Sequence, residues 1–239
     1  MRRRGERMQF SKLSMMAGVV MLAAGAQAVN LISDGGFEFG DVYSTQFTGT
    51  PWTTEYGYAT NNSTSGPFSI WNEGYMRVMD LDKAANNATT GHSLWDPAIR
   101  TEGHSFLAVN GATSTPVPFV LTQVFDYAGT GPLTVSFDHV NLYHAADPTG
   151  STLEVFMDGV SLGSVVTLAS GLWDTASFST SVASASSHTL KIVGTRTASG
   201  GNDFGLDDIQ VTPVPEPFTM GLAGLALATA VRRRLRKSA

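Results

Sequence analysis

From about residue 103 to 211, apolar side chains recur at every second position, in short runs cut off by Gly, Asn, Asp or Pro. A period of two sends alternate side chains to opposite faces of an extended strand and does not fit a helix. That restricts this half of the chain to β-structure. Phe119, Leu121, Gln123 and Phe125 alternate with Val120, Thr122 and Val124, and Leu133, Val135 and Phe137 continue the pattern. Leu153 to Met157 runs into Asp158-Gly159, a type I′ hairpin signal, and Val160 to Leu168 returns. Ala176 to Ser181, Thr189 to Val193, and Phe204, Leu206, Ile209 and Val211 follow before Pro213. After Phe137 the apolar positions change parity to Val140 and Leu142, which predicts a β-bulge near Asp138-His139.

Upstream the signal is sparser. Pro67 to Trp71, Tyr75 to Met79 and Ser105 to Val109 read as strands, the last stopped by Asn110-Gly111. Residues 41–66 read as a long loop with Trp52, Tyr56 and Tyr58 on it, and 80–104 as mostly loop. The total, about ten strands, is enough for two packed sheets. The expected fold is an all-β, two-sheet sandwich.

Both ends of the chain differ from this middle. Arg2, Arg3, Arg4, Arg7 and Lys12 precede the apolar stretch Leu13 to Ala26, and Ala26-Gln27-Ala28 is an A-x-A cleavage signal. Residues 1–28 therefore read as a signal peptide, leaving a mature domain of residues 29–213. At the other end, Val214-Pro215-Glu216-Pro217 leads into an apolar run, 218–231, and then the basic stop 232–237 with Arg232, Arg233 and Arg234. As a helix that run would reach roughly 21 Å, short of a hydrocarbon core of about 30 Å. A short membrane-spanning tail with cations held on the cytoplasmic side is the expected form.

Without its ends the domain holds five Lys and Arg against 18 Asp and Glu, a net charge of −13. Such a surface repels nucleic acid and anionic lipid and attracts divalent cations. The absence of cysteine rules out disulfides, thiol catalysis and thiolate metal sites. His92, His104, His139, His144 and His188 are scattered, with no HExxH, no G-x-S-x-G elbow and no glycine-rich phosphate loop. Asp138, His139 and Asp203 form no recognisable triad. The expected role is therefore non-catalytic, and no particular carboxylate pair stands out for glycoside hydrolysis.

Two resemblances follow from these residues. Pro215-Glu216-Pro217, the Gly/Leu/Ala-rich run and the arginine cluster together resemble the PEP-CTERM sorting signal of exopolysaccharide-producing Gram-negative bacteria. That resemblance implies export through the inner membrane by way of signal peptidase. It also implies processing near the motif by the membrane peptidase exosortase, with the mature domain at the cell surface or in the extracellular matrix. Second, Asn30-Leu31-Ile32-Ser33-Asp34-Gly35-Gly36-Phe37-Glu38 is similar to the opening of galactose-binding-like jelly rolls, a group that includes many carbohydrate-binding modules. Leu206-Asp207-Asp208-Ile209-Gln210-Val211 is similar to their closing strand, with Phe106 to Gly111, Leu121 to Phe125 and Leu133 to Phe137 between. Asp34 departs from the usual Asn.

The second resemblance implies a jelly roll with its first and last segments adjacent, which would gather Glu38, Asp207 and Asp208. In the resembling modules this place holds one structural Ca²⁺. The implied ligands are the side chains of Glu38 and Asp207 and the carbonyl of Gly36, unless these are simply solvated acids. The resemblance also implies association with extracellular polysaccharide. Among the rings of the first half, Trp71, Tyr75 and Trp95 are the candidates for stacking on a sugar, with Asn72 and Glu73 nearby for its hydroxyls. The alternatives are a structural surface protein without sugar specificity and, last, a polysaccharide hydrolase.

Overall fold

The computed structural model describes residues 29–38, 50–59, 69–80, 95, 105–145, 147–183, 186–198 and 200–214. The stretches read as a signal peptide and as a sorting motif with apolar run and basic stop (apart from Val214), and most of residues 81–104, lie outside the described residues. Asn30 to Pro213 form one compact unit.

Ten strands occur among the described residues: β1 (Gly57–Tyr58), β2 (Tyr75–Asp80), β3 (Ser105–Asn110), β4 (Phe119–Phe125), β5 (Pro132–Asn141), β6 (Thr152–Met157), β7 (Val160–Val166), β8 (Asp174–Ser181), β9 (His188–Gly194) and β10 (Phe204–Pro213). They form a six-stranded sheet, β1-β2-β3-β10-β5-β8, and a four-stranded sheet, β4-β9-β6-β7. The pairs β3/β10, β4/β9, β5/β8 and β6/β7 nest inside one another, and from β3 to β6 and again from β7 to β10 each connection crosses between sheets. A long antiparallel ribbon folded at the β6–β7 hairpin and rolled up gives that order, which defines a jelly roll. β1 and β2 extend the larger sheet beyond β3, β1 running parallel to β2. The predicted loop 41–66 thus contains a short strand. The predicted strand 67–71 does not extend to its end, because Asn72 N–H closes a turn onto Ser69 O.

Alternation sets which side chains meet between the sheets. Met76, Val78, Leu107, Val109, Leu133, Val135, Phe137, Leu206, Ile209 and Val211 from one sheet pack against Leu121, Phe125, Leu153, Val155, Leu190 and Ile192 from the other. Each such side chain contributes about 1.5–3 kcal/mol when fully buried. The Asp158-Gly159 turn has φ of 52° and 79°, the two positive angles that a type I′ hairpin requires.

The predicted bulge at Asp138-His139 is not there. β5 runs unbroken, and the irregularity lies on its partner, between Asp207 and Gln210 of β10. Asp208 and Ile209 together oppose Phe137, with Asp208 at φ 48°. Val140 and Leu142 are buried for another reason. They belong to a second apolar cluster, with Ala59, Ile70, Met79, Trp95, Phe106 and Ala108, on the outer face of the six-stranded sheet. The sheet is therefore covered on both sides over half its width, so β5 reads as apolar at both parities near its end.

Candidate functional site

Two groups of residues gather chemistry. The first joins the chain ends. Asn30 Oδ1 accepts from Val211 N–H at 2.9 Å and Ile32 N–H at 3.1 Å, and Leu31 N–H donates to Val211 O at 2.8 Å. The Gln123 amide exchanges two 2.9 Å hydrogen bonds with the backbone of Ser33, tying the same segment to the smaller sheet. Ile209 N–H donates to Gly35 O at 3.0 Å, and a side chain at Gly35 would run into the Ile209 carbonyl. This close approach explains the glycine.

Next to it, the structure brings Gly36, Glu38, Asp207 and Asp208 together. A Cβ on Gly36 would lie 3.6 Å from Asp208 Oδ1, 3.7 Å from Glu38 Cγ and 3.9 Å from Asp207 Oδ1. Asp207 Oδ1 accepts from Asp208 N–H at 2.8 Å and Glu38 Oε1 from Ser105 N–H at 3.1 Å. The space over Gly36 is thus bordered by carboxylate oxygens, the donor type that suits a hard cation. Among the described residues no three His, Asp or Glu side chains are drawn tightly enough to form a metal cage by themselves.

The second group lies at one end of the six-stranded sheet. Tyr75 pairs with Asn110, and extending the β3–β10 register sets Asp203 opposite Asn110. Trp95 covers this row and donates its indole N–H to Asp203 Oδ2 at 2.7 Å. Gly111 N–H reaches Asp203 Oδ1 at 3.4 Å, and Asn202 Nδ2 donates to Glu73 Oε2 at 3.2 Å. Burial pushes the Asp203 carboxyl up to about 7, against the Trp95 hydrogen bond and with help from the Glu73 charge. Glu73 is also raised by burial, which its Asn202 hydrogen bond partly offsets. Burial pushes the Tyr56 hydroxyl up to about 12.

The aromatic candidates divide here. Trp95, Trp52 and Tyr56 are buried, and Trp95 is only 1% exposed. Trp71 and Tyr75 are half-buried at the margin of the second cluster, flanking half-buried Asn72 and exposed Glu73. Asp203, Asn110 and Asn202 were not singled out as site residues by the sequence. Their only signal there was Asn-Gly and Gly-Gly-Asn punctuation at strand ends. His139 packs at 6.0 Å from Phe137, with neither ring nitrogen hydrogen-bonded among the described residues. It points toward the inter-sheet core, on the opposite face from Asp203.

No protein-family model matches the chain, and no curated protein sequence does. Among solved structures it is similar to TmCBM61 in complex with beta-1,4-galactotriose, at 15% identity and TM-score 0.45, over 78% of this chain and 100% of that one. It is similar to a structure described as CBM4 at 15% identity and TM-score 0.42, over 77% and 99%. The arabinose-bound α-L-arabinofuranosidase MgGH51 matches at 13% identity and TM-score 0.48, over 78% of this chain but 26% of the enzyme. The jelly-roll assignment rests on the strand order itself.

Proposed function

We propose that this chain is an exported, non-catalytic surface or matrix protein that associates with polysaccharide through the Trp71–Tyr75 end of its larger sheet. The observation that carries this reading is the surface there. Two half-buried rings flank an amide and a carboxylate, Asn72 and Glu73, on a loop held down by buried partners. Flat rings suit the apolar face of a pyranose, and amide and carboxylate groups suit its hydroxyls. Asp203 lies beneath this surface at 3% exposure, which argues against Glu73 and Asp203 acting as an acid–base pair on a sugar chain.

Export and sorting enter the proposal through the terminal segments. Pro215, Glu216 and Pro217 are the expected recognition motif for exosortase, and Arg232, Arg233 and Arg234 the cytoplasmic stop. Glu38, Asp207 and the Gly36 carbonyl are the proposed ligands of one structural Ca²⁺ that would clasp the chain ends and stabilise the fold by mass action.

A glycan array read alongside tryptophan fluorescence tests the sugar site. Binding of a neutral glycan that shifts emission, and that Trp71→Ala weakens at least tenfold, is the expected result. No binding to any glycan favours the structural alternative. For the clasp, thermal unfolding in chelator and then in millimolar Ca²⁺ should show a rise that Glu38→Ala or Asp207→Ala abolishes. An equal Tm in both buffers rejects it.

A further inference from the structure

The buried end of the larger sheet has more hydrogen-bond acceptors than donors. Asn110 Nδ2 donates to Ile70 O at 2.9 Å, which leaves Asn110 Oδ1 buried with no partner among the described residues. Asn202 spends its Nδ2 on Glu73, and its Oδ1 is likewise buried and unpartnered. Both residues are at most 2% exposed. Exchanging O and N in either amide would set an oxygen against an acceptor already in place, so the orientation is fixed by chemistry. Asp203 adds two carboxylate oxygens, which among the described residues meet the indole N–H of Trp95 and the long contact from Gly111. Glu73 adds a second carboxylate beside Asn202.

We propose that Asn110, Asn202, Asp203 and Glu73 form a site for a hard divalent cation, Ca²⁺, distinct from the Gly36–Glu38–Asp207 clasp. The donors are all oxygens, two carboxylates and two amides, which is the set that Ca²⁺ accepts in flexible geometry and thiophilic metals do not. The occupant must be small, because three of the four residues are sealed from solvent. A positive charge suits it best. A water molecule would satisfy the two amide oxygens but needs a proton as well to relieve the repulsion between the two carboxylates, whereas a single cation answers both. Arg196 does not fill this need, because its guanidinium is committed to Gly150 O, Gly201 O and Asp147.

The consequence reaches the surface. Glu73 stands between Trp71 and Tyr75, so an ion bound beneath would fasten that loop to the ends of β3 and β10. The ion site goes beyond the polysaccharide reading and does not depend on it, because cation binding is measured without sugar.

The test is calorimetric titration of Ca²⁺ into the full-length chain, purified in detergent and stripped with chelator. Glu38→Gln should retain an equivalent of Ca²⁺ that Glu73→Gln weakens at least tenfold and Asp203→Asn removes. Glu73 is exposed, so its variant tests the site without disturbing the core. Tb³⁺ in place of Ca²⁺ should luminesce on excitation of indole, with Trp95 one hydrogen bond from the ion, and Glu73→Gln should lower that emission. Identical Ca²⁺ stoichiometry and affinity in wild type, Glu73→Gln and Asp203→Asn would overturn the proposal and leave the pocket to water or a proton. Equal affinity for Mg²⁺ would overturn the choice of ion.

Discussion

Trp95 and Asp203 lie 108 positions apart in the chain and share a 2.7 Å hydrogen bond from indole N–H to carboxylate. Both are buried, so the bond fixes a residue from the otherwise loop-rich first half onto the residue that leads into the last strand of the jelly roll. Trp95→Phe keeps most of the ring and deletes the donor. The loss should cost about 1–3 kcal/mol through the desolvated carboxylate it leaves behind. Urea unfolding of the two proteins measures the difference, and equal midpoints would mean that the pair does not hold the segment.

His139 is fully buried, with neither ring nitrogen hydrogen-bonded among the described residues, and burial lowers its pKa against the raising influence of Asp174 and Asp138. The unfolded chain then binds a proton that the folded one refuses. Stability should fall as pH drops through the unfolded value of about 6.5, by at most about 1.4 kcal/mol per pH unit. His139→Leu removes the group, so its urea midpoint should change less between pH 8 and pH 5.5 than that of wild type. Parallel profiles would assign the dependence to other groups.

Asp158 fastens the β6–β7 hairpin to β9. Its carboxylate meets His188 Nδ1 at 2.7 Å and Thr189 N–H at 2.8 Å. Burial alone would raise its pKa, but the His188 and Thr189 hydrogen bonds and the His188 charge hold it below the usual carboxylate range. The stabilisation is present above the unfolded pKa of about 3.9 and is lost as pH falls through the lower folded value. The side chain is 41% exposed, so solvent screens the pair and Asp158→Asn should cost on the order of 1 kcal/mol at pH 7. Asn tolerates the positive φ of this turn, so the change removes the charge and one acceptor oxygen without straining the backbone. As pH falls through that lowered folded value, the variant and wild type should converge in stability.

Gly205 is the second residue of β10, and glycine within a strand is ordinarily unfavourable. A Cβ there would lie 2.7 Å from Val140 Cγ1 and 3.1 Å from the Phe106 ring, which close over it from the neighbouring strands. Gly205→Ala should destabilise the fold by about 1–3 kcal/mol through overpacking. An unchanged Tm would show that the second cluster yields to an added methyl group.

Strand content and faces were legible where burial is one-sided. Leu153, Val155 and Met157 alternate cleanly because their strand has one side in the core and one in solvent. The same reasoning misplaced the bulge, because Val140 and Leu142 lie under a second cluster to which Ala59 and Trp95 come from stretches without period-two alternation. The true signal was the parity change from Leu206 to Ile209. Asp207-Asp208, between those two residues, carry the irregularity. At the chain ends, the motifs Asn30 to Glu38 and Leu206 to Val211 located a real convergence, since a segment that pairs with the last strand must bring its neighbours along.

The sequence alone determined the all-β class, the acidic and cysteine-free character of the domain, and the hairpin at Asp158-Gly159, because each depends on local periodicity, composition or backbone preference. Which strands pair, that the larger sheet is covered on both faces, that Trp95 bonds Asp203 and that Asn202 bonds Glu73 were decided only by the tertiary structure. Those arrangements depend on packing between residues tens to more than a hundred positions apart, and no local pattern encodes that distance.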